Sequence, residues 1–286
     1  MSYLSKIYKC LPFKKPLFSL LKRFCIPSFY RKLYFIGKFK IKVNKTCFRM
    51  FHYGYLIENE IFWKGINNGW EPGSVAIWSK LCEFSDSIVD IGANTGIFSL
   101  VAGAINPKAS IFAFEPVKRT YDKLKYNVEL NRFNIKCFDK AISNYDGRGI
   151  IYDSLKSNIL SVTVNRNLYP DNNFYPVEIE TIQLDTFISN ENLTRIDLIK
   201  IDVETHEIEV LEGFKNFLMK FQPTILIEVL TEEIAQRLNE IFQGKDYYYF
   251  NIDESKGLIR VDQIIKCDGF NFLLCKKGMA LKSGLI

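Results

Sequence analysis

The sequence predicts an α/β protein with a mostly parallel sheet, and three observations carry that reading. From Ser87 onward short apolar strands alternate with helical patterns, the order that builds parallel sheets. Those strands end in carboxylates at Asp90, Glu115, Asp139, Asp202 and Glu228. The first of them runs into a tight glycine turn, Gly92 to Gly96, that opens an apolar helix at Ile97. Such a turn lets a ligand approach the backbone and meets it with free helix N–H groups. In open α/β sheets ligands bind beyond the carboxyl ends of the strands. One acid there is uninformative, since acids also cap helices; five on separate strands point to a shared pocket.

In chain order, Ile36–Phe51 alternates loosely like a strand (KFKIKV), and a helix over about Pro72 to Glu83 leads in. Strands are expected at Ile88–Asp90, Ser110–Glu115 and Ile135–Phe138, with helices at Gly96–Ala104 and Arg119–Asn131 between them. Asp146-Gly147 reads as a turn before a strand at Gly149–Tyr152. Residues 153–176 are polar, with Pro170 and Pro176, and read as a lid or binding loop. Val177–Ile182 alternates like an edge strand. The rhythm resumes with Asp197–Asp202, a helix from His206 to Phe214, the strand Thr224–Glu228, a helix Glu232–Gln243 and a strand Tyr247–Ile252. Leu258–Val261 reads as a hairpin arm, and Phe270–Cys275 closes the sheet.

The 286 residues are 48% hydrophobic and 24% charged, enough for one sizeable core. The net charge of +6 hides an asymmetry. Residues 1–57 carry thirteen lysines and arginines and no acidic residue, whereas all 32 acids lie from Glu58 onward. We therefore divide the chain into a basic, aromatic-rich extension, 1–57, and a mildly acidic catalytic-type domain, 58–286. Leu17, Phe18, Leu20, Leu21 and Phe24 among Lys14, Lys15, Lys22 and Arg23 suit a short basic amphipathic helix at an anionic membrane surface. Packing on the body or on a second copy is the plainer alternative, and nucleic acid is disfavoured because no binding motif accompanies the charge. The seven cysteines are dispersed without a C-x-x-C pair, which suits a reducing cytoplasm. No apolar run reaches the roughly 18 residues of a spanning helix, and no signal peptide is expected.

The glycine turn discriminates between cofactors. A dinucleotide fingerprint needs G-x-G-x-x-G, and counting from Gly92 two of its glycines are missing. Asp90-Ile-Gly92-Ala-Asn94-Thr-Gly96 instead fits an S-adenosylmethionine turn. Glu115, followed by Pro116, is then placed to accept both ribose hydroxyls, Asp139 to meet the adenine amino group, and Asp90 or Asp202 to meet the cofactor's ammonium.

At this point VDIGANTGIFSL, AFEP, NVELN, LDTF, DLIKIDVETHEIEVLEGF and P-x-ILIEV, spread over Glu58 to Cys275, resemble the FkbM-type methyltransferases. The resemblance implies the class I methyltransferase, Rossmann-like fold: a seven-stranded, mostly parallel sheet with helices on both faces and an antiparallel last strand. It also implies O-methylation, often of sugars or polyketide-like products. The family's IDVEG segment departs here at Thr205, where a β-branched residue does not readily take glycine's positive φ.

Methyl transfer to an alcohol needs alignment and a base. His206, Asp202, Glu204 and Glu228 are the candidates, His206 first because its ordinary pKa suits neutral pH; the plain alternative is a solvent-exposed histidine at a helix start. Lys200, Asp202 and Glu204 share one side of a regular strand. HEIEV lacks the second histidine of a zinc signature, and no residue pattern requires a metal. The expected function is O-methylation of a hydroxyl on a sugar, glycan (lipid-linked forms included) or related metabolite. An RNA ribose methyltransferase and a non-catalytic scaffold docking through its basic arm are the alternatives.

Overall fold

The computed structural model describes residues 13–24, 28–154 and 174–286. Its centre is an eight-stranded sheet. We label β3 (Ser87–Ile91), β4 (Ser110–Phe114), β5 (Ile135–Phe138), β9 (Leu198–Ile201), β10 (Thr224–Glu228), β11 (Tyr247–Asp253), β12 (Gly257–Val261) and β13 (Asn271–Lys276). Their spatial order is β12-β11-β13-β10-β9-β3-β4-β5. The strands from β5 to β10 are parallel, and β13 runs antiparallel to both β10 and β11. The hairpin arm expected at Leu258–Val261 pairs with β11 as an eighth strand, one more than the seven expected.

Residue parity along the strands sorts side chains to two cores. Ile88 and Leu226 face one cluster, with Trp78, Phe98, Phe48 and Met50. Val89, Ile91, Ile225 and Ile227 face the other, with Phe214, Phe242 and Phe272. Helices Pro72–Cys82 and Ile97–Ile105 cover the first face; Leu184–Asn190, Glu207–Glu212, Lys215–Phe221 and Glu232–Phe242 cover the second.

The described residues before Glu58 share the first core. After a helix, Lys14–Phe24, the KFKIKV alternation forms β1 (Gly37–Val43), which pairs antiparallel with β2 (Thr46–His52). Phe39, Ile41, Val43, Phe48 and Met50 point into the core, and Lys38, Lys40, Lys42 and Arg49 point out. His52 belongs to this packing. It is fully buried between Phe35 and Phe39, accepts from Gly54 N–H at Nδ1, and burial lowers its pKa to about 4.

A second, three-stranded sheet follows β5: β6 (Lys140–Ile142), β7 (Gly147–Ser154) and β8 (Phe174–Ile182), in the order β6-β8-β7. The expected edge strand Val177–Ile182 is therefore the central strand of this sheet, flanked by β6 and β7. Its alternation reflects one face turned to the body and one to solvent, which a central strand of a small sheet shares with an edge strand. Of the lid expected at 153–176, residues 155–173 lie outside the described residues. At its near end Asp153 is buried and makes a two-pronged ion pair with Arg119.

Candidate functional site

A cleft of about 310 Å³ opens beyond the carboxyl ends of β3, β4, β9 and β10. This is the point at which the strand order reverses. Of the residues singled out in the sequence, it is lined by Gly92, Asn94, Glu115, Pro116, Asp202, Glu204, His206 and Glu228.

The floor is the glycine turn. Gly92 has φ +77°, and a Cβ added there would stand 1.8 Å from the carbonyl oxygen of Asp202. Only glycine lets β3 and β9 close up at this point. Gly92 and Ala93 N–H both donate to Phe114 C=O, so the turn is tied to β4. Gly96, at φ +97°, would press a Cβ within 2.7 Å of Leu124; its freedom serves helix packing, and it is not on the lining. Glu115 caps this floor from the side. Its two oxygens accept Asn94 N–H and Val117 N–H, each at 3.0 Å, and burial pushes its pKa up to about 7 against those bonds.

Two further predicted residues stand elsewhere. Asp90 is fully buried beneath the turn, outside the cleft lining. It accepts Ser99 Oγ–H at 2.5 Å, its other oxygen has no partner among the described residues, and burial raises its pKa. Asp139, expected near an adenine amino group, is exposed and off the lining. The chain leaves β5 directly into β6 rather than into a helix, and this gives the cleft Lys140 and Ala141 instead.

Across the cleft the turn after β9 gathers acids. Lys200, buried, donates to Asp202 at 2.7 Å; burial opposes its charge, but Asp202 and Asp90 hold its pKa above the ordinary value. The regular strand ends at Ile201, and Glu204 and Thr205 take φ of 54° and 80°. Thr205 thus adopts the positive φ that glycine takes easily. Glu207 holds the turn: its Oε1 accepts Val203 N–H and Thr205 N–H, and burial raises its pKa to about 8. Glu228, at the end of β10, is raised to about 10 by burial and by Asp202, Glu204 and Glu207. One of its oxygens is buried without a partner among the described residues.

His206 lines the cleft with its ring held at both ends. Nε2 stands 3.0 Å from Ser143 Oγ and Nδ1 3.5 Å from Glu209. Burial lowers its pKa, while Glu209 and Glu212 oppose the shift. Glu71 and Ser143 were missed in the sequence. Glu71 lines the cleft just before Pro72, and burial together with Asp202 raises it to about 8. An acid preceding a proline at a helix start was the available signal.

The doubly wound sheet, the glycine turn at its switch point and the strand-end acids define the class I methyltransferase fold. Residues 90–249, more than half of the chain, match the methyltransferase FkbM domain, and the chain belongs to that family. Among curated relatives, methyltransferase sdnD of Sordaria araneosa is 33% identical over 44% of this chain and 59% of its own length. The 2-O-methyltransferase NoeI of Sinorhizobium fredii is 32% identical over 46% of this chain and 59% of its own. Hexuronic acid methyltransferase AglP of Haloferax volcanii is 23% identical over 64% of this chain and 74% of its own. The chain thus spans less than two thirds of the length of sdnD and NoeI.

The residues present suit S-adenosylmethionine. The cleft is crowded with acids (Glu71, Asp202, Glu204 and Glu228) and leaves a buried carboxylate oxygen of Glu228 unpartnered among the described residues. A cationic ligand relieves that repulsion. The cradle at Gly92 has no room for a Cβ, and Glu115 offers a carboxyl at the end of the second strand.

Proposed function

We propose that the protein is an S-adenosylmethionine-dependent O-methyltransferase acting on a hydroxyl of a sugar, glycan or related metabolite. The observation that carries this reading is the acid-lined cleft over the Gly92 turn, on a chain of the FkbM family. When bound, S-adenosylmethionine supplies an electrophilic methyl group on a sulfonium. Gly92 and Asn94 would hold its backbone-facing side, Glu115 its ribose hydroxyls, and Asp202 with Glu228 its positive charges. Hydrogen bonds that hydroxyls donate to a charged acceptor are among the stronger ones.

His206 is our choice of base. Its lowered pKa keeps the imidazole neutral near pH 7, the form that accepts a proton. Ser143, bonded to Nε2, fixes the ring and offers an oxygen through which a substrate proton reaches it. Asp202, Glu204 and Glu228, on the same lining, would act as orienting groups rather than as the base.

A sugar acceptor, of the kind handled in polysaccharide assembly, is supported by AglP and NoeI, whose names specify a hexuronic acid and a 2-O position. The test is a mass screen of simple glycosides, uronic acids and oligosaccharides with protein and cofactor. A product heavier by one methylene unit is expected, and loss of that product in His206→Ala with unchanged cofactor affinity. A carbohydrate panel left unmethylated by a protein that binds cofactor would move the acceptor to another class of hydroxyl. An unaltered rate in His206→Ala would remove it as base.

A further inference from the structure

The helix Lys14–Phe24 uses only part of its surface to pack. Phe18 is buried against Trp63, ring centroids 5.5 Å apart. Lys15 and Lys22 reach to the carbonyls of Lys38 and Phe62. A different face carries Phe13, Leu17, Leu20 and Phe24, which are 79%, 44%, 53% and 82% exposed. The spacing of three and four residues from Leu17 to Phe24 makes one continuous apolar stripe, and Phe13 stands just before the helix. A run of apolar side chains of this kind marks an interaction site more often than single exposed residues do.

The surroundings select the occupant. The 57 residues that carry the stripe contain no acid. On the adjoining hairpin, Lys40 and Arg49 stand directly opposite each other, both exposed. Like charges in that register cost stability unless something outside neutralises them. A second copy of the chain would bring the same charges together. A phosphate backbone would answer the cations but gain nothing from Leu17 and Leu20. An anionic bilayer satisfies both, taking the stripe into its interface and the cations into its headgroups.

We infer that the Lys14–Phe24 helix and the outer face of the β1–β2 hairpin form a docking surface for an anionic membrane. The cleft lies near it. The helix Leu56–Lys64 holds Phe18 through Trp63 near one end and lines the cleft with Ile57 at the other, a span of roughly 9 Å. A hydroxyl carried on a lipid-linked molecule would therefore reach the cleft without leaving the surface.

The inference stands independently of methyl transfer and is tested without an acceptor. The full chain is sedimented with phosphatidylcholine vesicles, with and without phosphatidylglycerol. Binding is expected only with the anionic lipid, weakening as salt rises. Leu17→Asp with Leu20→Asp should lower partitioning by at least about tenfold. Lys40→Gln with Arg49→Gln should lower it by roughly fivefold per cation removed. Neither variant should melt below the parent, because the four side chains are exposed and the second change also removes a pair of opposed like charges. A wild-type chain that stays in the supernatant at low salt overturns the inference. So does equal partitioning of parent and both variants, or a dimer abolished by the Leu17 and Leu20 changes without any vesicle binding.

Discussion

At the scale of single residues, Asn127 links the glycine turn to the rest of the molecule. It is fully buried, donates to Thr95 C=O at 2.9 Å and accepts Phe51 N–H at 2.8 Å. It thereby joins the glycine turn to β2. Asn127→Leu keeps the volume but leaves both backbone groups without their partner. We expect a loss of about 1–3 kcal/mol in urea unfolding, together with weaker cofactor binding; a variant as stable as the parent would show that the turn stands without it. Asn127 of NVELN was legible as part of a family pattern, but not as a clamp, because its partners lie 32 and 76 residues away. Glu71 and Ser143 escaped for a related reason. A single acid or serine has no periodic signature, and only the fold brings them to His206 and Asp202. Asp139 stands at the end of a strand, a position that faces the cleft when the chain turns into a helix and does not where it turns into β6.

At the scale of elements, the turn after β9 carries the sharpest departure from expectation. Thr205 sits at φ 80°, in a turn held by Val203 N–H and Thr205 N–H, which both donate to Glu207 Oε1. A β-branched residue there is strained by roughly 1–3 kcal/mol, part of which glycine would lose again to its greater freedom when unfolded. Thr205→Gly should therefore stabilise by about 1 kcal/mol and raise the melting temperature by roughly 2–4 °C. A lower melting temperature would mean that the side chain contributes more than its strain costs. The main strands were legible because their apolar runs are short, bounded and acid-terminated. The three-stranded sheet was half legible: its alternation showed strands, but the order β6-β8-β7 depends on which edge meets the body. The hairpin β1–β2 was legible as a strand pattern and not as part of the core, since a basic sequence hides that Phe39, Ile41 and Val43 all point inward.

At the scale of the whole molecule, the crowded acids couple stability, protonation and ligand. Glu71 and Glu207 are raised to about 8 and Glu228 to about 10, in each case chiefly by burial. In the unfolded chain such groups release their protons near pH 4.3. Between those values the folded protein holds protons that the unfolded chain has lost, so stability falls as pH rises. The histidines act in the opposite sense, because burial lowers His52 and His206, but only below roughly pH 6.5. From about pH 6.5 to about pH 8.5 the acids set the sign. The melting temperature of the ligand-free protein should fall over that range, and bound S-adenosylmethionine should raise it more at the upper end. A melting temperature that climbs with pH would contradict this charge arrangement.

The central claim, that the cleft over Gly92 binds S-adenosylmethionine, is tested most directly by titration calorimetry of the parent and Glu115→Ala with that cofactor. The account predicts saturable one-to-one binding by the parent and an affinity at least about tenfold weaker in the variant, as loss of a charged hydrogen-bond acceptor requires. Absence of binding by the folded parent, or equal affinity in the two proteins, would contradict it.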